Sequence, residues 1–330
     1  MERECPAFAY RAGILEGGFF RHLEFDDFVD ARDRPEALVW IDLTVREREL
    51  TRRFLIQDFG FHPLAVQDAL SREERPSLHQ SENGFFLELA VLDPSVAPEK
   101  AAEIPADVGI FVRSNLVVTV CDQPVPLLRQ VFGSWADRPQ EVGPRAEVLL
   151  HELLDHVVDS YFPVIDRLHD QIEDLEDQIY QGTHFEVGAA LSIKRNLLTL
   201  RRRLAPLRDV LNGLLRRDLR FVTADLAPYY QDVYDHSLRV LENLDLGRDL
   251  LSTILDAQLN MTSNRLNEVM RVMTVAATVL MTMALVAGIY GMNFEAMPEL
   301  SWPMGYAFAW ALMLVLAGFE IWLFRRKGWV

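Results

Sequence analysis

Between Tyr290 and Leu300 the chain reads YGMNFEAMPEL, with one carboxamide, Asn293, and two carboxylates, Glu295 and Glu299. The segment follows Val272–Gly291 (VMTVAATVLMTMALVAGIYG), which has no charged residue. Neutral oxygens at the end of such a run suit a hydrated cation. Magnesium gives up water reluctantly, and an amide oxygen can hydrogen-bond an intact hydration shell without trapping the ion. The Asn293 oxygen, with freed backbone carbonyls at Gly291 and Met292, is one such set. Glu295 and Glu299 would raise the cation concentration beside it; the alternative for both is ordinary solvation of an exposed loop. Other chemistries find less support. The eight histidines (His22, His62, His79, His151, His156, His169, His184 and His236) are scattered and form no close zinc-binding pair. No glycine-rich phosphate loop, nucleophile elbow or HExxH is present, so an enzyme ranks last.

The elements that position Asn293 are two apolar segments. Val272–Gly291 is long enough to span a hydrocarbon core, and Met304–Phe324 is a second such run whose only charge is Glu320. Arg265 and Arg271 precede the first span, Arg325, Arg326 and Lys327 follow the second, and the link between them has no Lys or Arg. By the positive-inside rule both termini are cytoplasmic and the link is outside. Glu320 lies about one turn from Arg325, which predicts snorkelling or pairing at the inner interface. Two spans cannot enclose a hydrophilic path, so conduction requires several copies around an axis. Asn267, Met270, Thr274, Ala277, Met281, Ala284 and Gly288 recur at alternating steps of three and four along the first span. They form a stripe of small, soft or weakly polar groups that either lines such an axis or packs helices closely. Val272, Val275, Val279, Val286 and Ile289 face the other way.

The remaining residues form a soluble body. The chain has 330 residues, 50% hydrophobic and 25% charged, with a net charge of −16, which argues against nucleic acid as a partner. Two cysteines, Cys5 and Cys121, fit a reducing compartment, and no cleavable signal peptide is visible. Ala37–Leu43, Gly84–Leu92, Asp107–Arg113 and Asn115–Cys121 read as strands, the last apolar enough to be buried on both faces. TVRERELTRRFLIQDFG, with a capping box from Thr44 to Glu47, and HPLAVQDAL, with Pro63 in its first turn, read as helices. After Pro144 strand signals stop. EVLLHELLDHVVDSYFPVIDRLHDQIEDLEDQIY predicts one long helix closed by Gly182, and its Asp170, Glu173, Asp174, Glu176 and Asp177 read as a solvated face. FEVGAALSIKRNLLTLRRRLAPLRDVLNGLLRRD predicts a second, disturbed at Pro206. A third runs from Pro228 to Gly291, about 95 Å at 1.5 Å per residue.

YGMNFEAMPEL, followed by a second span and a basic tail, resembles the CorA family of divalent-cation transporters, whose signature is the Gly291-Met292-Asn293 triplet. The likeness continues upstream in YYQDVYDH (Tyr229–His236) and Lys194–Leu211, and more faintly in RPSLHQSENGFFLEL. The resemblance implies an α+β membrane protein of the cytoplasmic (inner) membrane, embedded in lipid and assembled as a funnel-shaped homopentamer. Its parts would be a cytoplasmic α/β domain (1–143), a cytoplasmic helical region (144–226) and a stalk helix (227–271). That stalk would continue into a pore-lining span (272–291). A periplasmic loop (292–303), a second span (304–324) and a basic tail (325–330) would follow. It implies transport of magnesium, cobalt and possibly nickel, with Asn293 as the outer selectivity residue and Gly288 just inside. Met270, Met273 and Met281 fall at apolar constrictions, Asn267 at the inner mouth, and Arg325, Arg326 and Lys327 in an inner basic ring. Asp232 and Asp155 fall at regulatory magnesium sites between subunits, with Asp93 as the cross-subunit partner. Magnesium is thus both cargo and regulator: ions bridging these acids hold the ring closed, and their loss opens it. Thr282 stands where the family usually has proline, and Ala284 where it has threonine. The rivals are a zinc transporter of the related branch, which usually has Ile at Met292, and a non-conducting membrane-anchored magnesium sensor.

Overall fold

The computed structural model describes residues 3–71, 76–81, 84–93, 106–182, 185–216, 221–292, 297–298 and 302–329. Asn293, Glu295 and Glu299 lie outside these residues. The chain forms two compact units, 1–254 and 255–330.

The first unit is built on an eight-stranded sheet. Its strands are β1 (Arg3–Glu4), β2 (Phe8–Glu16), β3 (Phe19–His22), β4 (Leu38–Val45), β5 (Ser77–Ser81), β6 (Gly84–Val91), β7 (Ala106–Arg113) and β8 (Leu116–Cys121). The order is β1-β2-β4-β8-β7-β6-β5, with β3 on β2. Among the described residues only β4 and β8 pair in parallel, Asp42 opposite Thr119, and the other pairings are antiparallel. Gly17 and Gly18 turn the β2–β3 hairpin, both with positive φ, where a side chain would be strained. All six residues of β8 are buried, as the unbroken apolar run requires.

Helices cover both faces. On one, α1 (Phe28–Arg32), α2 (Arg48–Arg53), the π-turn Phe54–Asp58 and α3 (Pro63–Leu70) pack Phe28, Phe54, Leu55, Phe59 and Val66 against Tyr10, Ile41, Val118 and Phe111. Pro63 opens α3 as expected, behind His62, whose Nδ1 accepts the N–H of Leu64. The capping box at Thr44 does not form. Thr44 is consumed by the β4 ladder, and α2 begins at Arg48 behind an extended Glu47. Thr51, in the first turn, donates its hydroxyl to the carbonyl of Glu47 (2.8 Å), with that of Ala7 also within reach. On the other face α4 (Pro126–Asp137) brings Phe132 and Trp135 onto Trp40. Here Gly13 lets the ring of Phe20 approach to where a Cβ would stand 2.5 Å away. This face also buries an ion pair. Arg11 donates to Asp42 at 2.9 Å, Thr119 donates to the other Asp42 oxygen at 2.7 Å, and Trp40 donates to Thr119 at 3.2 Å.

After the short α5 (Pro139–Val142) come the long helices. The single helix expected over residues 147–180 is two, α6 (Ala146–Asp159) and α7 (Phe162–Tyr180). Pro163 has no N–H for the carbonyl of Asp159, and its ring would clash there, so the chain re-starts. Gly182 closes α7 with positive φ, as expected. α8 (Val187–Leu215) runs unbroken through Pro206, contrary to the disturbance expected there. It packs on β5 and β6. α9 (Ala227–Tyr290) is one continuous helix.

The second unit holds the end of α9 and α10 (Gly305–Arg326), both long and apolar enough to cross a membrane.

The buried Arg11–Asp42 pair sets a stability prediction. Asp42→Ala strands a buried cation and should cost about 3–5 kcal/mol. The joint change Arg11→Met with Asp42→Leu should cost much less, both read from unfolding midpoints of the full chain in detergent.

Candidate metal cluster and membrane path

In the first unit α6 and α9 each place two potential ligands one turn apart: Asp155 and Asp159 on α6, Asp232 and His236 on α9. The two helices are held in register by several contacts. Tyr230 is fully buried and donates to the carbonyl of Glu147 at 2.7 Å. Val233, Val240 and Leu244 are buried along the same helix. Arg145 reaches Asp225 at 2.9 Å and Thr223 at 3.1 Å just before α9 begins. The Thr223 hydroxyl, together with Arg145, lowers the Asp225 carboxyl to about 2.

The result is a small polar cluster. One ligand atom from each of Asp155, Asp159 and His236 lies within 4.8 Å of the other two. His236 Nδ1 is 3.6 Å from Asp159 Oδ1, and its Nε2 is 3.8 Å from Asp232 Oδ2. Phe162 stands edge-on to the imidazole at 6.3 Å. These gaps are too long for hydrogen bonds, and Nδ1 is buried with no hydrogen-bond partner among the described residues. Ligand atoms about 2.1 Å from a shared octahedral ion lie roughly 3–4 Å apart. The donor set therefore fits a divalent cation, with two carboxylates and one imidazole.

Of the residues singled out in the sequence, Asp155 is in this group, whereas Asp232 stands outside it, facing only the other ring nitrogen of His236. Asp159 and His236 complete the group, so one of the scattered histidines meets carboxylates rather than a second histidine. The signal was available: DxxxD in Asp155–Asp159 and DxxxH in Asp232–His236 place each pair on one helix face. Asp93, just past the end of β6, is not part of this group among the described residues.

In the second unit the span of α9 has two faces. Val275 and Val286 are buried, and Thr278, Val279, Thr282 and Met283 are half-buried. They face α10, whose Ala309 is buried and whose Leu312, Met313, Leu316, Ala317 and Glu320 are half-buried. The opposite face is Thr274, Ala277, Met281, Ala284 and Gly288, all exposed. Met281 is 72% exposed, and a Cβ on Gly288 would meet nothing within 4 Å. Asn267, Met270 and Met273 continue this stripe, but from Met261 to Thr274 every residue is exposed and burial selects no face. The N–H groups of Gly291 and Met292 turn back to Ala287 and Ile289, ending the helix just before Asn293. Arg325 and Arg326 close α10, and Lys327 is its C-cap. Glu320 does not pair with Arg325 among the described residues. Five residues along a helix put the two about 140° apart, and Glu320 instead meets Thr282 at 2.6 Å.

An α/β body with a group of side chains that could hold a metal ion, and two helices long and apolar enough to cross a membrane, points to the class of membrane proteins that handle metal ions. The chain belongs to the family described as CorA-like Mg2+ transporter protein, whose pattern it matches over residues 35–326. It is 34% identical over 318 residues to the cobalt/magnesium transport protein CorA of Thermotoga maritima, covering 94% of this chain and 88% of that one. A zinc transport protein, ZntB of Cronobacter sakazakii, is more distant at 25% identity, covering 96% of this chain and 94% of the relative. The fold matches the complete structure of the CorA magnesium transporter from Methanocaldococcus jannaschii, with a TM-score of 0.82 and 23% identity. That match covers 97% of this chain and 98% of the other.

An imidazole favours cobalt and nickel, whereas carboxylates and water suffice for magnesium. Removing the ring by His236→Ala should weaken cobalt binding by about tenfold or more. Magnesium binding should fall by no more than about threefold, both measured by titration calorimetry on the full chain.

Proposed function

We propose that the chain is a subunit of a homopentameric magnesium channel in the cytoplasmic membrane, with both termini in the cytoplasm. Cobalt, and in the same way nickel, is a second cargo. The observation that carries this reading is the exposed stripe of α9, which lies opposite the face covered by α10. Two helices cannot enclose water, and five such stripes around an axis can. The basic residues Arg265, Arg271, Arg325, Arg326 and Lys327 support the orientation, because Lys and Arg stay on the cytoplasmic side. Lipid would cover the outward faces of α9 and α10.

In this assembly a hydrated ion meets Glu295 and Glu299, which concentrate cations at the outer mouth. Asn293 amide oxygens and the carbonyls of Gly291 and Met292 then hydrogen-bond its water shell. Below Gly288 and Ala284 the walls become Met281, Ala277, Thr274, Met273 and Met270, soft side chains that close a narrow pore by excluding water. Asn267 waits at the inner mouth, ringed by the basic tail. No covalent step occurs; the driving force is the electrical gradient, about 2.3 kcal/mol per elementary charge for each 100 mV.

Gating is electrostatic. Internal magnesium binds among Asp155, Asp159, Asp232 and His236, and Asp93 of a neighbouring subunit supplies a further carboxylate. The bound charge offsets repulsion between acids of adjacent subunits and holds the closed ring. When internal magnesium falls, the carboxylates repel, the subunits part, and the apolar constrictions hydrate.

Uptake of magnesium, cobalt, nickel and zinc into vesicles containing the purified chain tests both parts. Asn293→Ala should abolish selective magnesium uptake while leaving assembly intact by mass. Asp232→Ala with Asp93→Ala should relieve inhibition by internal magnesium. A wild-type protein that binds magnesium yet passes no ion would make the chain a sensor and end the channel reading. Zinc uptake that exceeds magnesium uptake would place it with the zinc transporters.

A further inference from the structure

Three bases end the second span, and they do not point the same way. Glu320, on the side of α10 that faces α9, serves as the reference. At 100° per residue Arg325 lies at about 140° from it, Trp322 at about 200°, Arg326 at about 240° and Lys327 at about 340°. Two arginines therefore straddle one indole on the face turned away from α9, and Lys327 alone comes back to the α9 side. Burial agrees. Met313, Leu316, Ala317 and Glu320 are half-buried, whereas Val315, Gly318, Phe319, Trp322, Arg325 and Arg326 are exposed.

Contacts turn this outward face into a column. The Arg326 guanidinium sits 5.5 Å from the Trp322 ring centroid. Phe319 stacks on Trp322 with the centroids 5.9 Å apart. Val315, Phe319, Trp322 and Arg326 follow one another at steps of four, three and four, so they share one stripe. From Val315 to Arg326 is about 16 Å along the axis, half of a hydrocarbon core about 30 Å thick. Gly318 lies beside the stripe, and a Cβ there would meet nothing within 4 Å.

The charged end of the column is held in place. Gly328 has positive φ, its N–H donates to the carbonyl of Arg325 at 3.0 Å, and the N–H of Trp329 donates to that of Phe324 at 3.0 Å. The rings of Trp329 and Phe324 lie 5.7 Å apart. This is a Schellman cap with its apolar contact, so the arginines stand on a closed turn. Neither has an ion-pair partner among the described residues. The one acid on α10, Glu320, is on the other side and accepts the hydroxyl of Thr282 at 2.6 Å.

Two guanidinium groups without a countercharge, at the end of an apolar stripe one leaflet long, match an anion that carries its own hydrocarbon chain. A phosphate accepts the forked N–H groups of arginine, and tryptophan belongs at the level of the headgroups. A headgroup with net negative charge gains from both arginines, whereas one whose phosphate is offset by its own cation does not. We propose that Trp322, Arg325 and Arg326 bind the headgroup of an anionic phospholipid in the cytoplasmic leaflet, with an acyl chain lying along Phe319 and Gly318. Lys327 stays with the inner basic ring. The choice of leaflet rests on the orientation proposed above; the site itself does not.

Native mass spectrometry of the full chain in detergent, titrated with phosphatidylglycerol or phosphatidylcholine, tests the site without reference to a leaflet. The wild type should bind phosphatidylglycerol about tenfold more tightly. Arg325→Gln with Arg326→Gln should bring the two lipids within about twofold of each other, at unchanged assembly mass. Lys327→Gln should keep the preference to within about twofold of wild type. Equal binding of both lipids by the wild type would make the arginines plain water-facing anchors and overturn the site. A Lys327→Gln protein that loses as much as the double variant would overturn it too, because the effect would then be diffuse charge. The leaflet is decided separately. In intact cells Val330→Cys should add no labelling by a membrane-impermeant maleimide above the wild type. Labelling from outside would refute the cytoplasmic orientation, with the mass spectra still deciding the site.

Discussion

Hydrocarbon offers no hydrogen bonds, and that fact governs most of what the second unit can be. Backbone groups there must be satisfied within a helix, which is why Val272–Gly291 and the run ending at Phe324 are helical. Opposite the face covered by α10, the exposed stripe of Thr274, Ala277, Met281 and Gly288 is the surface that the proposed assembly of several copies would use. The same constraint also acts on side chains. Thr274 and Thr278 turn their hydroxyls onto their own backbone, and Thr282 gives its hydroxyl to Glu320.

The first unit buries an ion pair together with its partners. Arg11 and Asp42 sit beneath α4 as a pair, with Thr119 and Trp40 completing the bonds of Asp42. The group of Asp155, Asp159 and His236 differs, since its ligand atoms lie within 4.8 Å of one another and His236 faces Asp159 across a gap too long for a hydrogen bond. Carboxylates facing each other without a cation repel, and a divalent cation removes that repulsion. In the proposed gating, stability and metal sensing draw on the same electrostatics, separated by whether the countercharge is built in or must arrive.

Much of this was legible in the sequence. The spans follow from length and absence of charge, and α9 from an unbroken helical pattern. The burial of β8 follows from LVVTVC, and the start of α3 from Pro63. What failed did so where two local signals competed. The capping box at Thr44 lost to strand pairing with β8 and β2. Pro163 broke a helix that periodicity ran through, whereas Pro206 did not break α8. Asp159 and His236 were passed over because their partners are distant in the chain, although each pair's spacing was visible. The β2–β3 hairpin at Gly17–Gly18 and α4 were not anticipated at all.

The sequence by itself determined the two membrane helices, the mixed α/β body, the family and the residue types available for a cation. Each of these depends on local periodicity, composition or a contiguous motif, and none requires knowing what lies opposite. The tertiary structure alone decided which groups meet: Asp155 and Asp159 with His236, Arg11 with Asp42, and Glu320 with Thr282 in place of the neighbouring Arg325. Such meetings depend on the rotation and register of elements tens of residues apart. A change of one residue along a helix turns a side chain by 100°, so only packing can say which face is turned to which.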